Sequence, residues 1–478
     1  MKARLFAEEN RKWWTLGAVS FGLFMIMLDN TVVNVALPSM QRALKIGPNE
    51  LEWVVVGYAL TFATFMLTGG KLADLYGRRR LFVVGLIVFT GASLACGLAP
   101  NAGFLIGARV VQGVGSAIMN PATLGIITAT FPPRQRGTAI GIWAGTSATA
   151  LAIGPLVGGL LTEKVNWSWI FFVNLPIGVI GVFVALWAID ESRDMSERQT
   201  LDLGGQITSA AGLFALTYAL IEGNRHGWGS PLILGLFAVS AVFLAAFVLL
   251  EQHQRIPMLD LSLFRSPTFS GANVAMLLVT LAMFGIFFYN SLFFQNILGY
   301  SAVQTGAIFL PMTVLIILIA PQAGRFSDRI GSRWLVGGGM ALVALSLILF
   351  AQLDRGTNFW HILPAALVGG MGMALTMTPA TAAAMGSVPV NKAGVGSAVL
   401  NSARQVGGSL GIAVMGAVVA SDVHVSQGNP LFADEFVKGY HHALYLAAGI
   451  AAVGALIAVA SVRKVSHPET VGAMAEAA

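Results

Sequence analysis

Long apolar runs separated by short polar breaks organise the chain. Hydropathy divides it into about fourteen segments, near 13–37, 53–70, 81–99, 103–130, 138–161, 169–189, 203–221, 231–250, 269–298, 302–323, 334–351, 361–385, 394–420 and 441–462. A helix of about 20 residues crosses a bilayer core. Lipid offers no partner to backbone N–H and C=O groups, so each run predicts a transmembrane helix. The expected fold class is therefore all-α integral membrane, with fourteen transmembrane helices. An even number of crossings puts both termini on one side. Trp13, Trp53, Trp169, Trp334 and Trp360 fall near segment ends, as an interfacial aromatic belt does.

Composition strengthens this picture. The chain is 56% hydrophobic and 10% charged, where soluble domains carry about 25% charged residues. Its 55 glycines suit close helix packing. The basic start (Lys2, Arg4, Arg11, Lys12) leads into a span too long for a signal peptide, so no cleaved leader is expected. Of 28 Lys and Arg residues, 20 fall in loops on the side of the termini and 6 on the other. By the positive-inside rule both termini are expected in the cytoplasm, as a multi-pass protein of the cytoplasmic (inner) membrane. The net charge of +6 is thus topological, and no nucleic-acid partner is needed. The single cysteine, Cys96, excludes an internal disulfide and a cysteine-based metal site. No nucleophile–base pair, metal cluster or Walker loop is present. An enzyme, a metal site, a cofactor and ATP as driver are all disfavoured.

The chain repeats itself. The loop Gly70-Lys71-Leu72-Ala73-Asp74-Leu75-Tyr76-Gly77-Arg78-Arg79-Arg80 follows the second segment. Gly324-Arg325-Phe326-Ser327-Asp328-Arg329-Ile330-Gly331-Ser332-Arg333 follows the tenth. Gly70, Asp74, Gly77 and Arg79 share their spacing with Gly324, Asp328, Gly331 and Arg333. A second echo pairs Gly113-x-Gly115-x-Ala117 with Gly370-x-Gly372-x-Ala374. The expected organisation is two six-helix bundles, residues 1–192 and 266–478, with two inserted helices at 193–265. Parallel halves rocking about a central site are one architecture of secondary transporters. Glycines that allow tight turns, with Asp beside Arg at helix ends, suit an ionic latch on the cytoplasmic face. An ordinary basic anchor loop would explain the arginines but not the repeated Asp and Gly.

One acid stands apart. Asp29 is the only carboxylate deep inside an apolar segment; the others are expected in loops or at segment ends. A charge there costs about 2.5–3.5 kcal/mol on insertion scales, so it marks a proton or cation site, or a structural anchor between helices. Measured from Pro38 and Gly103 as outer ends, Asp29 lies about 13 Å deep and Arg109 about 9 Å, close enough for a long guanidinium to pair.

At these motifs the chain resembles the major facilitator superfamily, and within it the fourteen-span drug/proton antiporter branch of the EmrB/QacA type. Gly70 to Arg80 resembles the superfamily's signature loop. Leu28-Asp29-x-Thr31-Val32-Val33-Asn34-Val35-Ala36-Leu37-Pro38 resembles the branch's first-span motif, and Trp167 to Gly178 its sixth-span entry. Leu201-Asp202-x-x-Gly205 and Asn401-Ser402-Ala403-Arg404-Gln405-Val406-Gly407-Gly408 also fit. The resemblance implies that Gly145, Gly154, Pro155, Gly158 and Gly159 form the antiporter motif of exporters, with Ala150 standing where a glycine is usual. Simple close packing would use the same small residues. It also implies that Arg109, in Arg109-x-x-Gln112-Gly113-x-Gly115, takes part in proton coupling with Asp29.

The expected function is a proton-coupled multidrug efflux transporter for lipophilic or cationic compounds. The alternative is a dedicated exporter of one metabolite, such as an antibiotic or siderophore, on the same fold. Asn30, Asn34, Gln112, Tyr289, Asn290, Gln295 and Arg404 are expected to line a central cavity, together with Phe284, Phe287, Phe288 and Phe293. Some members of the resembled branch that expel dications carry an extra acid in these helices; residues 269–298 hold none, so the resemblance implies monovalent or neutral cargo. The expected partners are drug-like small molecules, protons and the lipid bilayer, with a periplasmic adaptor optional and a monomer as the working unit.

Overall fold

The computed structural model describes residues 8–193, 202–254, 257, 259–388, 393–425 and 429–463. It is all-α and multi-span. In chain order the helices are α1 (Glu8–Leu44), α2 (Pro48–Tyr76), α3 (Arg78–Gly97), α4 (Ala102–Thr130), α5 (Pro133–Lys164), α6 (Trp169–Phe172) and α7 (Asn174–Ala188). Then follow α8 (Leu203–His226), α9 (Pro231–His253), α10 (Pro267–Leu292), α11 (Ala302–Ile330), α12 (Ser332–Phe350), α13 (Phe359–Gly386), α14 (Ala393–Asp422) and α15 (Phe432–Ser461). The short α6 runs into α7, and together they form the sixth expected segment. Among the described residues, thirteen helical stretches are long and apolar enough to cross a membrane. The segment expected at 138–161 lies within α5.

Two expectations need correction. Pro38 does not end the first helix, because α1 continues to Leu44. A proline is tolerated there because neighbouring helices can satisfy the freed backbone. The repeated "loops" are mostly helix. α2 runs to Tyr76 and α3 starts at Arg78, so Gly77 alone makes the turn, at φ +112; Gly331 does the same between α11 and α12, at φ +88. Those left-handed values favour glycine, which explains why it repeats there.

The helix contacts come in matching pairs. α1 packs on α5 as α10 packs on α14; α2 packs on α4 as α11 packs on α13; α3 packs on α4 as α12 packs on α13. Close backbone approach at small residues drives this packing, since lipid gives no hydrophobic push between helices. A methyl added to Gly154 of α5 would strike Thr31 Oγ1 of α1. One added to Gly407 of α14 would lie 2.5 Å from Thr280 Oγ1 of α10.

Two seams join α1–α7 to α10–α15: α5 against α11, and α2 against α14. Near the end away from the termini they are tight. A methyl on Gly159 would fall 2.5 Å from the Ala302 carbonyl, and one on Gly306 would strike the Pro155 carbonyl. Glu163 Oε2 there accepts the Val303 N–H at 3.0 Å, and Gln295 Nε2 donates to the Val35 carbonyl at 2.9 Å. On the terminal side, a methyl on Gly145 would meet nothing within 4 Å. The inserted helices sit at the edge: α9 packs on α8, and α8 leans on both α2 and α14. At the start of α8, Asp202 accepts from the Gly205 N–H at 2.7 Å and from Gln254 Nε2 at 2.8 Å. Partial burial works to raise this carboxyl, but those donors hold it below its ordinary value.

Candidate functional site

Asp29 is fully buried. It faces the interior of α1–α7, away from lipid. Its α1 face meets α4, and the spacing of Arg109 and Gln112, three residues apart, puts both on one side of that helix. Arg109 Nη1 donates to Asp29 Oδ2 at 2.5 Å and to Gln112 Oε1 at 2.7 Å, while its Nε donates to the Val54 carbonyl of α2 at 3.0 Å. Gln112 Nε2 donates to the second carboxylate oxygen, Oδ1, at 3.0 Å and to Ser93 Oγ at 2.8 Å. Asn174 Nδ2 of α7 donates to the same serine at 3.0 Å. The guanidinium lies 4.1 Å above the Tyr58 ring. Cys96 Sγ points at Gln112 Oε1 from 3.7 Å. Five helices thus converge on one carboxylate, and both of its oxygens are satisfied.

Such a pair is kept in a low-dielectric interior only with excellent geometry and complete hydrogen bonding, because desolvating two charges costs several kcal/mol each. The arrangement is a charge pair that one proton can break. Protonating Asp29 would remove the charge that ties Arg109 to α1 while leaving its bonds to Gln112 and the Val54 carbonyl, loosening α1 from α4.

The residues expected in one central cavity are divided among three places. Gln112 belongs to the Asp29 network. Asn290 accepts a hydrogen bond from Tyr440 of α15 at 2.5 Å, inside the second half. Asn30 lies beside Tyr58 of the Asp29 network, whereas Asn34, Tyr289, Gln295 and Arg404 lie closer to the seams. Asn30 Nδ2 and Asn34 Nδ2 donate to their own helix, at Ile26 and Asn30, while Asn34 Oδ1 is buried without a partner. Gln295 bridges to α1, as given above. Arg404, partly exposed on α14, has no hydrogen-bond or ion-pair partner among the described residues. Phe288 and Phe293 are buried, and Phe293 stacks on Tyr440 at 4.6 Å.

Of the residues expected to form a latch, Asp74, Arg78 and Arg79 take part in an ionic cluster on the first repeat. Arg78 Nε and Nη2 donate to Asp74 Oδ1 at 2.9 and 2.8 Å, and Nη1 reaches the Gly125 carbonyl at 3.3 Å. The Arg79 N–H donates to Glu191 Oε1 at 3.1 Å, so Glu191 caps the start of α3. Gly70 sits in helical contact with Pro121. On the second repeat, Arg333 is exposed with its guanidinium 5.2 Å from the Trp334 ring; the Asp328 side chain lies outside the described residues. The α5 motif divides by face. Gly154 and Gly158 meet α1, Pro155 and Gly159 meet α11, and Gly145 meets nothing.

Sequence reasoning missed two acids. Glu191 follows Asp190 directly after an apolar segment, but the arginines it meets lie 112 residues or so earlier in the chain, so no local signal marked it. Glu52 is the larger omission. It was counted as a segment-end acid, yet it is 3% exposed, and Glu222 and Glu251 are buried too. Asp29 is deep inside its segment as expected, but acids near segment ends are buried as well. α2 begins at Pro48, so Glu52 lies a full turn inside a helix whose neighbours cover it.

Residues 19–412 match the family described as Major Facilitator Superfamily. The chain is 38% identical to the multidrug resistance protein Stp of Mycobacterium tuberculosis over 85% of its own length and 76% of that protein's. It is 35% identical to the puromycin resistance protein of Streptomyces alboniger, covering 94% and 91%. It is 36% identical to the tetracenomycin C resistance and export protein of Streptomyces glaucescens, covering 86% and 77%. Among solved structures, an inward-facing bacterial homologue of the lysosomal transporter Spinster matches with TM-score 0.68 at 16% identity, over 96% and 99% of the two chains. At that identity the match speaks for the fold alone.

Proposed function

The chain belongs to the Major Facilitator Superfamily and is a membrane transporter, not an enzyme, and we propose that it exports one class of antibiotic-like metabolite in exchange for inward protons. Support for the cargo comes from relatives named for resistance to, or export of, single antibiotics. A second reading, broad multidrug efflux, is favoured by the Stp relative, which is named for multidrug resistance. In either case Arg404 carries a positive charge with no partner among the described residues, which disfavours multiply cationic cargo.

The observation that carries proton coupling is the sealed Asp29–Arg109–Gln112 network. An intramembrane carboxylate with a breakable partner is the usual means of coupling to a proton gradient, and one inward charge gains about 2.3 kcal/mol per 100 mV. The organisation proposed is two six-helix bundles (1–192 and 266–478) plus an inserted pair (193–265), in the fourteen-span drug/proton antiporter branch. The termini are taken as cytoplasmic, which makes the tight ends of the seams the outer ends and the structure inward-open. The α5 motif supports export, because its glycines and proline bring α1 and α11 together where the halves must hinge. One chain holds the whole network and both seams, so a monomer suffices.

Inverted vesicles containing the protein test this. Uptake of an antibiotic should collapse on adding an uncoupler, and a panel of dyes should be poor cargo if the exporter is dedicated. Transport indifferent to the uncoupler would remove proton coupling.

A further inference from the structure

Glu52 reaches across the α2 seam. Tyr289 Oη of α10 donates to its Oε1 at 2.7 Å, and its Oε2 is buried with no hydrogen-bond partner. A methyl added to Gly416 of α14 would strike this carboxyl group. α8 seals the side: Asn49 Nδ2 of α2 donates to the Ile221 carbonyl at 3.0 Å, and Asn224 Nδ2 donates to the Ala417 carbonyl of α14 at 2.6 Å.

The charged and titratable groups around Glu52 are few. α10 presents Tyr289. α8 presents Glu222, another buried acid, whose own partners are Arg225 at 3.7 Å and His226 at 3.9 Å. α14 presents Gly416 and no charge. Arg109 of α4 is committed to Asp29 and the Val54 carbonyl. No cation pairs with Glu52 among the described residues. An ionised carboxylate sealed with one donor, no counter-charge and a second acid nearby costs far more than the neutral acid.

We infer that Glu52 is a second proton-binding site, which takes up a proton from the outer solution as the α2–α10–α14 seam closes and returns it to the same side when the seam opens. It rests on the transporter reading and deepens it. The proton on Glu52 is not the transported one; it biases the outer gate. Closure and protonation favour each other, so acid outside shuts the gate and alkali opens it. The α5–α11 seam differs: it closes on glycines, a proline and the Glu163 carboxylate, which accepts the Val303 N–H and so favours closure when ionised, the opposite sign to Glu52.

The test uses the full chain in lipid nanodiscs with spin labels on cysteines introduced at exposed Arg42 and Leu431, on the outer ends of the two halves; Cys96 is buried and left in place. The ratio of closed to open distances should fall as pH rises, by at most about tenfold per unit for one linked proton. Glu52→Gln should stay closed at every pH. Tyr289→Phe, which keeps the ring packing, should lower the closed-to-open ratio roughly fivefold for one lost hydrogen bond while keeping the pH slope. An unchanged pH response in Glu52→Gln, no response in the wild type, or a lost slope in Tyr289→Phe would each overturn the assignment. Asp29→Asn separates the two readings. It should keep the outer-gate response while losing proton-driven transport; a gate response lost in Asp29→Asn but kept in Glu52→Gln would assign the switch to Asp29 instead.

Discussion

Gly113 of α4 lies against the Tyr58 carbonyl of α2, and Gly370 of α13 lies against the Met312 carbonyl of α11; a methyl on either glycine would fall 2.5 Å from that oxygen. Gly85 of α3 and Gly339 of α12 each approach a glycine carbonyl, of Gly115 and Gly372, to 2.8 Å by the same measure. The two halves are therefore packed alike at their centres. Their side chains there differ in kind. Four residues before Gly113 stands Arg109; four before Gly370 stands Ala366. One residue before those glycines stand Gln112 and Gly369. Two residues before Thr31 stands Asp29; two before Thr280 stands Leu278. Tyr58 answers to Met312. One half carries a charged, hydrogen-bonded network where the other carries small or apolar groups on the same scaffold. The helix packing does not require the network, so its presence in one half alone argues for work other than holding helices together.

That comparison can be broken by experiment. The largest effect is expected from Asp29→Asn, which should abolish proton-driven efflux while the protein still folds; drug-dependent proton movement retained in proteoliposomes would refute the role. Arg109→Ala leaves a buried carboxylate without its counter-charge and should cost about 3–5 kcal/mol, read as a large fall in thermal stability in detergent. Leu278→Asp places an acid where no arginine waits, and should cost about 2.5–3.5 kcal/mol by the same assay. The double change Asp29→Leu with Arg109→Met replaces the pair by apolar side chains of comparable volume, as the second half carries apolar groups there. It should fold with stability within about 1 kcal/mol of the wild type yet transport nothing, because apolar replacement of a whole buried pair is often neutral. A severe loss of stability in that double variant would make the network structural after all. The smallest effect belongs to Gly145→Ala, whose added methyl enters open space; stability should move by less than about 1 kcal/mol. If Gly145 matters only when the terminal side closes, this variant lowers transport and leaves the melting curve in place.

The halves also differ at the terminal face. The first repeat closes its turn with Asp74, Arg78 and Glu191 in one cluster, whereas Arg333 of the second repeat is exposed beside Trp334.

Much of this was legible in the sequence. Apolar runs must be helices in lipid, so the order of the helices could be read from composition, although several run six to nine residues past the expected ends. The turn glycines Gly77 and Gly331 could be located because only glycine adopts their backbone readily. Asp29 announced itself because its neighbours in sequence are apolar on both sides. Glu52 did not, since two other polar residues, Asn49 and Glu50, precede it and make it look like a loop acid; its burial comes from α8, α10 and α14, all far along the chain. For the same reason the expected central cavity could not be partitioned beforehand. A residue's helix face can be guessed from periodicity, but which helix stands opposite depends on long-range packing. What the sequence alone determined was the membrane, the duplication and one intramembrane acid, because these follow from local transfer energies and spacing. Only the tertiary structure decided that this acid is saturated by Arg109 and Gln112, that a second acid bridges the halves, and that the matching place in the other half is apolar, because each depends on contacts between residues far apart in the chain.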